Sequence, residues 1–172
     1  MEILIACCAG LDVHKDSVEV CVRALEGSRV HQQTRHWGTT TRELLEMAEW
    51  LKSERVTHVA MESTGVYWKP IFNVLENDFE VLLVNARMIK HVPGRKTDVA
   101  DCQWIAQLLQ HGLLKGSFIP PRWQRELRDL ARQRAQLTDE ASRISNRVQK
   151  VLEDANVKLA RWPATWLESP AG

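Results

Sequence analysis

Four acidic residues stand where this sequence changes from one predicted element to the next. Asp12 closes an apolar stretch near the N-terminus, and Glu62 follows a second apolar stretch. Asp98 and Asp101 lie three residues apart at the expected start of a helix, a spacing that puts both on one helix face. Carboxylates among apolar residues are costly unless they are protonated, paired or bound to a cation. These positions therefore favour a shared chemical role.

Convergence of the four carboxylates would create a site for two divalent cations. Two Mg²⁺ ions about 3.5 to 4 Å apart can bind phosphodiester oxygens and lower the pKa of an attacking water or hydroxyl. They also stabilise the leaving oxygen of an in-line displacement. Mn²⁺ suits the same oxygen ligands. The four acids therefore predict metal-dependent chemistry on a phosphodiester.

Each acid also has an ordinary structural explanation. Asp12 can begin a turn between two strands, Glu62 can lie exposed beside a helix N-terminus, and Asp98 can interact favourably with a helix dipole. These separate explanations do not account for all four acids falling where neighbouring elements end. The joint pattern keeps the metal site as the hypothesis to test.

The elements that would position these acids follow from the spacing of apolar residues. Strands are predicted over residues 3–13, 17–24, 29–36, 56–61 and 80–84. One helix is predicted after a cap within residues 39–41, and a second over about residues 66–77 after a cap at Ser63 or Thr64. The resulting order, βββαβαβ, is the order expected of a ribonuclease-H-like α/β core, a mixed sheet flanked by helices.

A basic segment separates the last predicted strand from the next helix. Residues 85–97 contain no acid, and Thr97 can cap a helix that runs to about His111. The basic side chains of this segment are Arg87, Lys90, Arg95 and Lys96. Because the segment directly precedes Asp98, we expect these side chains to position a scissile phosphate beside the metal ions.

A long helix is predicted over about residues 122–154, which contain no Gly or Pro. Its positions 127, 130, 134, 137, 141, 144, 148, 151 and 155 alternate steps of three and four, and all except Arg134 carry Leu, Ala, Ile or Val. We call these positions the seam. Such a seam is typical of a coiled coil or a helical hairpin, in which one polar residue sets register or oligomeric state.

Basic residues recur along the same helix at steps of three or four. A nucleic-acid contact is predicted for Arg122, Arg125, Arg128 and Arg132. The alternative is a solvated helix flank with intrahelical ion pairs such as Arg125 with Asp129.

Residues beside the acids have simpler explanations. His14 and Lys15 fit a polar hairpin turn after Asp12. Tyr67 and Trp68 follow Glu62, and Trp68 is interpreted as core packing in preference to a base-stacking platform.

The amino-acid composition limits which other classes of protein the chain can belong to. The chain has 172 residues, 44% of them hydrophobic, with 23 Lys and Arg against 22 Asp and Glu. It can therefore build a core, and its net charge alone does not predict a nucleic-acid partner. The absence of a long apolar run predicts no membrane span, and the four cysteines match neither a zinc site nor a disulfide framework. We expect a cytoplasmic, nucleoid-associated protein with reduced thiols.

Several stretches resemble the DEDD transposases of insertion sequence family one-hundred-ten, whose N-terminal domain is RuvC-like. They are GLDVHKDSVEVCV at 10–22, VAMESTGVYWKPIFNVL at 59–75, VLLVNARMIKHVPGRKTDVADCQWIAQLLQHGLL at 81–114 and LRDLARQRAQLTDEASRISNRVQKVLEDANVKL at 127–159. The resemblance implies that Asp12, Glu62, Asp98 and Asp101 bind divalent metal during DNA strand cleavage and exchange. It also implies direction by a structured guide RNA and subunit association through the long helix.

The resemblance sets the expected domain organisation. We expect a RuvC-like catalytic domain over residues 1–118, a dimerising helix over 119–160 and a divergent tail over 161–172. Family members continue into a C-terminal domain with a nucleophilic serine, so the tail suggests a truncated or frameshifted copy, and Ser169 is not that serine. Complete transposition by this chain alone is therefore not expected.

Three other functions remain open at this point. The chain could be a nucleic-acid-binding or dimerising remnant without catalysis, or a stand-alone RuvC-like junction nuclease. An actin-like ATPase shares the core topology, but the hairpin LDVHKDS lacks the glycine expected of a phosphate-cradling turn.

Overall fold

The computed structural model describes residues 3–63, 65–85 and 100–158. The chain divides into two compact units, Met1–Ile119 and Pro120–Gly172. Within the described residues, no helix combines the length and apolar character needed to cross a bilayer.

The first unit contains a five-stranded mixed sheet. Its strands are β1 (Cys7–Val13), β2 (Ser17–Glu26), β3 (Arg29–Gly38), β4 (His58–Ser63) and β5 (Glu80–Val84). The spatial order is β3-β2-β1-β4-β5, with β1, β2 and β3 antiparallel and β1, β4 and β5 parallel. This topology confirms the predicted ribonuclease-H-like fold class.

Among the described residues of this unit, three helices cover the two faces of the sheet. They are α1 (Thr41–Ser53), α2 (Trp68–Leu75) and α3 (Asp101–Gln110). Because side chains alternate along a strand, Leu11 of β1 packs in a core with α1 and α2, whereas Cys8 packs in a second core with α3. Asp12 has the same parity as Cys8 and therefore lies on the α3 face.

The N-terminus of α1 confirms the cap expected within residues 39–41. The Thr40 side chain accepts a hydrogen bond from the Glu43 backbone N–H at 3.4 Å, and the Glu43 carboxylate accepts one from the Thr40 N–H at 3.3 Å. This reciprocal capping box satisfies two backbone donors that the helix itself leaves without partners.

Other predicted boundaries were wrong. The first strand begins at Cys7 because the backbone N–H groups of Leu4 and Ile5 donate to the Gln110 carbonyl instead of a neighbouring strand. The fourth strand runs from His58 to Ser63, so Glu62 lies inside it and does not follow it. The second helix begins at Trp68, with Tyr67 as its N-cap residue, later than the predicted start at about residue 66.

A close approach between α3 and β1 depends on Gly10. A Cβ atom at Gly10 would overlap the backbone N of Ala106 and the backbone O of Cys102. A larger residue would therefore push the helix away from the strand. The glycine lets α3 begin near the end of β1 that carries Asp12.

The described part of the second unit, residues 120–158, contains one long helix, α4 (Arg122–Asp154), of 33 residues. Its range agrees with the predicted helix, and none of its described residues is buried. The large apolar side chains of the seam are all exposed: Leu127, Leu130, Leu137, Ile144, Val148 and Val151. The helix presents this seam along its whole length.

Candidate active site

Two of the four predicted acids are direct neighbours across the sheet. In the parallel pairing of β1 with β4, Asp12 is in register with Glu62. Residues in register on neighbouring strands project to the same face, so both carboxylates lie on the α3 side. Both residues are half-buried. The register therefore brings together acids that lie 50 positions apart in the sequence.

A third predicted acid acts on Asp12 from a helix. Asp101 is the first residue of α3, where the positive end of the helix dipole favours a carboxylate. Burial raises the pKa of Asp12, His14 lowers it, and the negative charges of Asp101 and Glu19 raise it further. The net direction is upward, so the site disfavours the ionised form of Asp12 in the absence of a cation. Asp98 lies outside the described residues.

His14 contacts Asp12 from the hairpin turn between β1 and β2. Its Nε2 lies 3.2 Å from Asp12 Oδ2, and its backbone N–H donates to the Ser17 carbonyl at 2.9 Å. These contacts agree with the interpretation of His14 as a turn residue. The same histidine also contacts the carboxylate at the centre of the candidate site.

Sequence reasoning missed Glu19 as a member of this acidic group. Glu19 of β2 is in register with Asp12, is half-buried, and contributes to the raised pKa of Asp12. The row across β4, β1 and β2 is therefore Glu62, Asp12 and Glu19. The alternation in SVEVCV placed Glu19 on the polar face of β2, but only the register places it beside Asp12.

The chemistry of these side chains fits a hard divalent cation. Carboxylate oxygens are the preferred ligands of Mg²⁺ and Mn²⁺, and a cation would offset the repulsion that raises the pKa of Asp12. Among the described residues, no group of three or more His, Cys, Asp or Glu side chains is arranged to hold a metal ion. The described acids therefore do not by themselves make up the predicted metal site, and Asp98 lies outside the described residues.

The predicted basic residues fall into two groups. Arg87, Lys90, Arg95 and Lys96 lie outside the described residues. On α4, Arg122 pairs with Glu126 at 2.9 Å and Arg132 with Asp129 at 3.6 Å, whereas an Arg125 side-chain N–H donates to the Pro120 carbonyl at 3.1 Å. The intrahelical pairs of the alternative explanation therefore exist on α4, although the arginines of the stripe remain largely exposed.

The aromatic residues after Glu62 have different environments. Trp68 packs against the core of the α1 and α2 face, with its ring 5.7 Å from that of Phe72 in an edge-to-face contact. This confirms the interpretation of Trp68 as a packing residue. Tyr67, one position earlier, is exposed.

Comparisons with known proteins place the chain in a family. Residues 9–157 match the model of the DEDD transposases of insertion sequence family one-hundred-ten, which is described as transposase. No curated protein matches the sequence. The match covers the strands that carry Asp12, Glu19 and Glu62, the helix that begins at Asp101, and α4.

Solved structures give likenesses at low sequence identity. The Fowlpox virus resolvase, solved in complex with a substrate Holliday junction DNA, is similar with a TM-score of 0.44 and 12% identity, covering 61% of this chain and 99% of that one. A Ppx/GppA family member from Aquifex aeolicus has a TM-score of 0.37 and 12% identity, covering 49% of this chain and 37% of that one. The family is given by the sequence match, and the chain belongs to the DEDD transposases of insertion sequence family one-hundred-ten.

Proposed function

We propose that this chain forms the DNA strand-cleaving domain of a transposase, in which Asp12, Glu62, Asp98 and Asp101 hold two divalent cations. The observation that carries the proposal is the register between β1 and β4, which sets Asp12 beside Glu62. The electrostatic effect of Asp101 on Asp12 supports a third carboxylate from a separate element. Asp98 is included because it precedes Asp101 by three residues in a family match that spans both.

The protein side chains supply positioning and negative charge. When bound, Mg²⁺ or Mn²⁺ would polarise the phosphodiester and activate the attacking water or hydroxyl. Asp12 and Glu62 are held by two hydrogen-bonded strands, which limits the movement of their carboxylates. The contact between His14 and Asp12 further fixes the orientation of the central carboxylate. The sheet therefore positions two of the four proposed ligands before substrate binds.

Nucleic acid is the proposed partner of the basic residues. Arg87, Lys90, Arg95 and Lys96 directly precede the acidic pair in sequence, and the arginines of α4 form an exposed stripe. Both groups suit salt-sensitive contacts to a phosphate backbone. In keeping with the family, we propose DNA as the substrate and a structured RNA as the guide. The exposed seam of α4 is the proposed surface for association between copies of the chain.

Nicking of supercoiled plasmid DNA tests the proposed chemistry. We expect Mn²⁺- or Mg²⁺-dependent nicking by the wild-type chain and at least a hundredfold loss in Glu62→Gln, on the order of the loss of one electrostatic catalytic group. Glu80→Gln is the matched control, because Glu80 is an exposed acid at the opposite end of the parallel strands.

The outcomes separate the proposal from its alternatives. Equal nicking by wild type and Glu62→Gln would contradict the carboxylate mechanism. A wild-type chain that binds DNA but nicks none of it under any metal condition would instead favour the non-catalytic, nucleic-acid-binding fragment.

A further inference from the structure

Two exposed apolar residues follow the acidic strand β4 directly. Gly65 adopts a positive φ of 64°, and a Cβ atom there would meet nothing within 4 Å. Val66 and Tyr67 come next and expose 62% and 39% of their surface. We call Val66 and Tyr67 the apolar step. The turn thus presents an aromatic ring and a branched side chain to open space.

The apolar step lies at the same edge of the sheet as the carboxylates. β1 and β4 are parallel and end at Val13 and Ser63, so their carboxyl ends meet at one edge. Asp12 and Glu62 each stand one residue before those ends. The chain reaches Tyr67 four residues after Ser63, so this aromatic residue stands in the turn that follows β4 at this edge of the sheet.

The position of Tyr67 is fixed by the elements on either side. Its backbone is already helical, with φ −65° and ψ −20°, and the Lys69 N–H donates to the Val66 carbonyl at 3.1 Å. The following helix is anchored in the core by Ile71 and Leu75, which are fully buried. A tyrosine side chain has only two major rotatable bonds, so little entropy is lost when it binds a ligand.

We propose that Tyr67, flanked by Val66, stacks on an unpaired base of the DNA strand whose phosphate lies at the carboxylates. The inference rests on the proposed function, because it assigns a nucleotide to the rim of that site. An exposed aromatic face beside a phosphodiester site matches the chemistry of a nucleobase, whose face is apolar and polarisable. In a continuous duplex both faces of each base are covered by its neighbours. Stacking on Tyr67 therefore requires a strand that is unpaired or opened at the site.

Crosslinking gives a readout that does not depend on catalysis. The probe is single-stranded oligothymidylate carrying one 5-iodouracil, irradiated in complex with the wild-type chain and mapped by peptide mass spectrometry. A halogenated base crosslinks to an aromatic ring on which it stacks, so we expect the adduct at Tyr67. The same probe annealed to its complement should give no adduct there.

Affinity measurements with the same oligothymidylate sharpen the assignment. Tyr67→Ala should weaken binding about fivefold to a hundredfold, whereas Tyr67→Phe, which keeps the ring, should retain wild-type affinity. Leu45→Ala is the control, because Leu45 is an exposed apolar residue of α1 and does not belong to the turn after β4. Binding to the duplex should be the same for all these variants.

The results also separate this inference from the proposed function. Wild-type binding with adducts only at other residues, together with unchanged affinity of Tyr67→Ala, would overturn the stacking role and leave the proposed function standing. Absence of any DNA binding by the wild-type chain would overturn both. If Tyr67→Ala proves unfolded, the wild-type adduct map still decides the question.

Discussion

Helix α1 of the sheet unit and the long helix α4 have similar apolar patterns, but the pattern is buried in α1 and exposed in α4. In α1, Leu44, Met47 and Leu51 are buried against the sheet. In α4, seam residues with the same helical spacing, such as Leu137 and Ile144, are exposed. The first pattern is satisfied within its own unit, whereas the second is left open. Periodicity therefore identifies the face that must be covered without identifying what covers it.

Charged residues differ between the two regions in the same way. In the sheet unit, burial raises the pKa of Asp12, and the negative charges of Asp101 and Glu19, which belong to separate elements, raise it further. On α4, opposite charges one turn apart pair along the helix, as Arg122 does with Glu126. Converging like charges are relieved by protonation or by a cation, whereas paired charges are already satisfied. The comparison supports the proposed metal site in the sheet unit and the proposed association between copies through the helix.

Gly10→Ala should have the largest effect and should break the sheet unit selectively. The added methyl group would overlap backbone atoms of Ala106 and Cys102, and such overpacking costs about 1–3 kcal/mol or more. Urea denaturation followed by tryptophan fluorescence measures the loss. Gly116→Ala is the control, because its Cβ would meet only the Leu82 side chain at 3.5 Å or beyond. Equal stability of both variants would contradict the close packing of α3 on β1.

The double variant Leu137→Glu, Ile144→Glu should disrupt association through α4. Burying two charges in a helix seam is strongly unfavourable, so we expect a chain that associates as wild type to become monomeric. Sedimentation equilibrium measures the oligomeric state. Gln136→Glu, Gln149→Glu adds the same charge away from the seam and should leave association unchanged. Monomeric wild-type protein at high concentration would contradict the proposed use of the seam.

The double variant Arg128→Gln, Arg132→Gln should have a weaker salt dependence of DNA binding than the wild type. Each lost phosphate contact lowers the slope of log K against log salt by about 0.9, so the double variant should lose about 2 units of slope. Fluorescence anisotropy across a salt series measures it. The control is Arg42→Gln, Lys52→Gln, in which both residues pair with acids of α1. An unchanged slope in the α4 variant would favour the solvated-flank explanation.

Asp12→Asn should have the smallest effect, a gain in metal-free stability that depends on pH. Burial, together with Asp101 and Glu19, raises the folded-state pKa of Asp12, so its ionisation destabilises the fold. The Asp12 proton contributes stability below the unfolded-state pKa, and this stability is lost as pH rises through the folded-state pKa. The variant should therefore exceed wild type in Tm at neutral pH with a chelator present, and the difference should shrink on acidification. Asp16→Asn, in the same turn, controls for charge.

Much of the fold could be predicted from sequence because its signals are local. Alternation in β2, the Thr40 capping box and the unbroken seam each depend on a few neighbouring residues. Boundaries such as the start of β1 were wrong because they depend on long-range hydrogen bonds, here from Leu4 and Ile5 to Gln110.

The candidate site was predicted only in part for the same reason. Asp12, Glu62 and Asp101 could be selected because they stand at element ends, where side chains from several elements meet. Glu19 could not, because its proximity to Asp12 depends on the antiparallel register of β1 with β2. A register shift of one residue would place Glu19 on the other face of the sheet.

Metal binding by the isolated chain is the most direct test of the carboxylate site. Isothermal titration calorimetry with Mg²⁺ and with Mn²⁺ compares wild type with the double variant Asp12→Asn, Asp101→Asn, and circular dichroism checks that both are folded. We predict binding by wild type and loss of that binding in a folded double variant. Equal binding by both proteins, or no binding by wild type with or without DNA, would contradict the metal-site assignment.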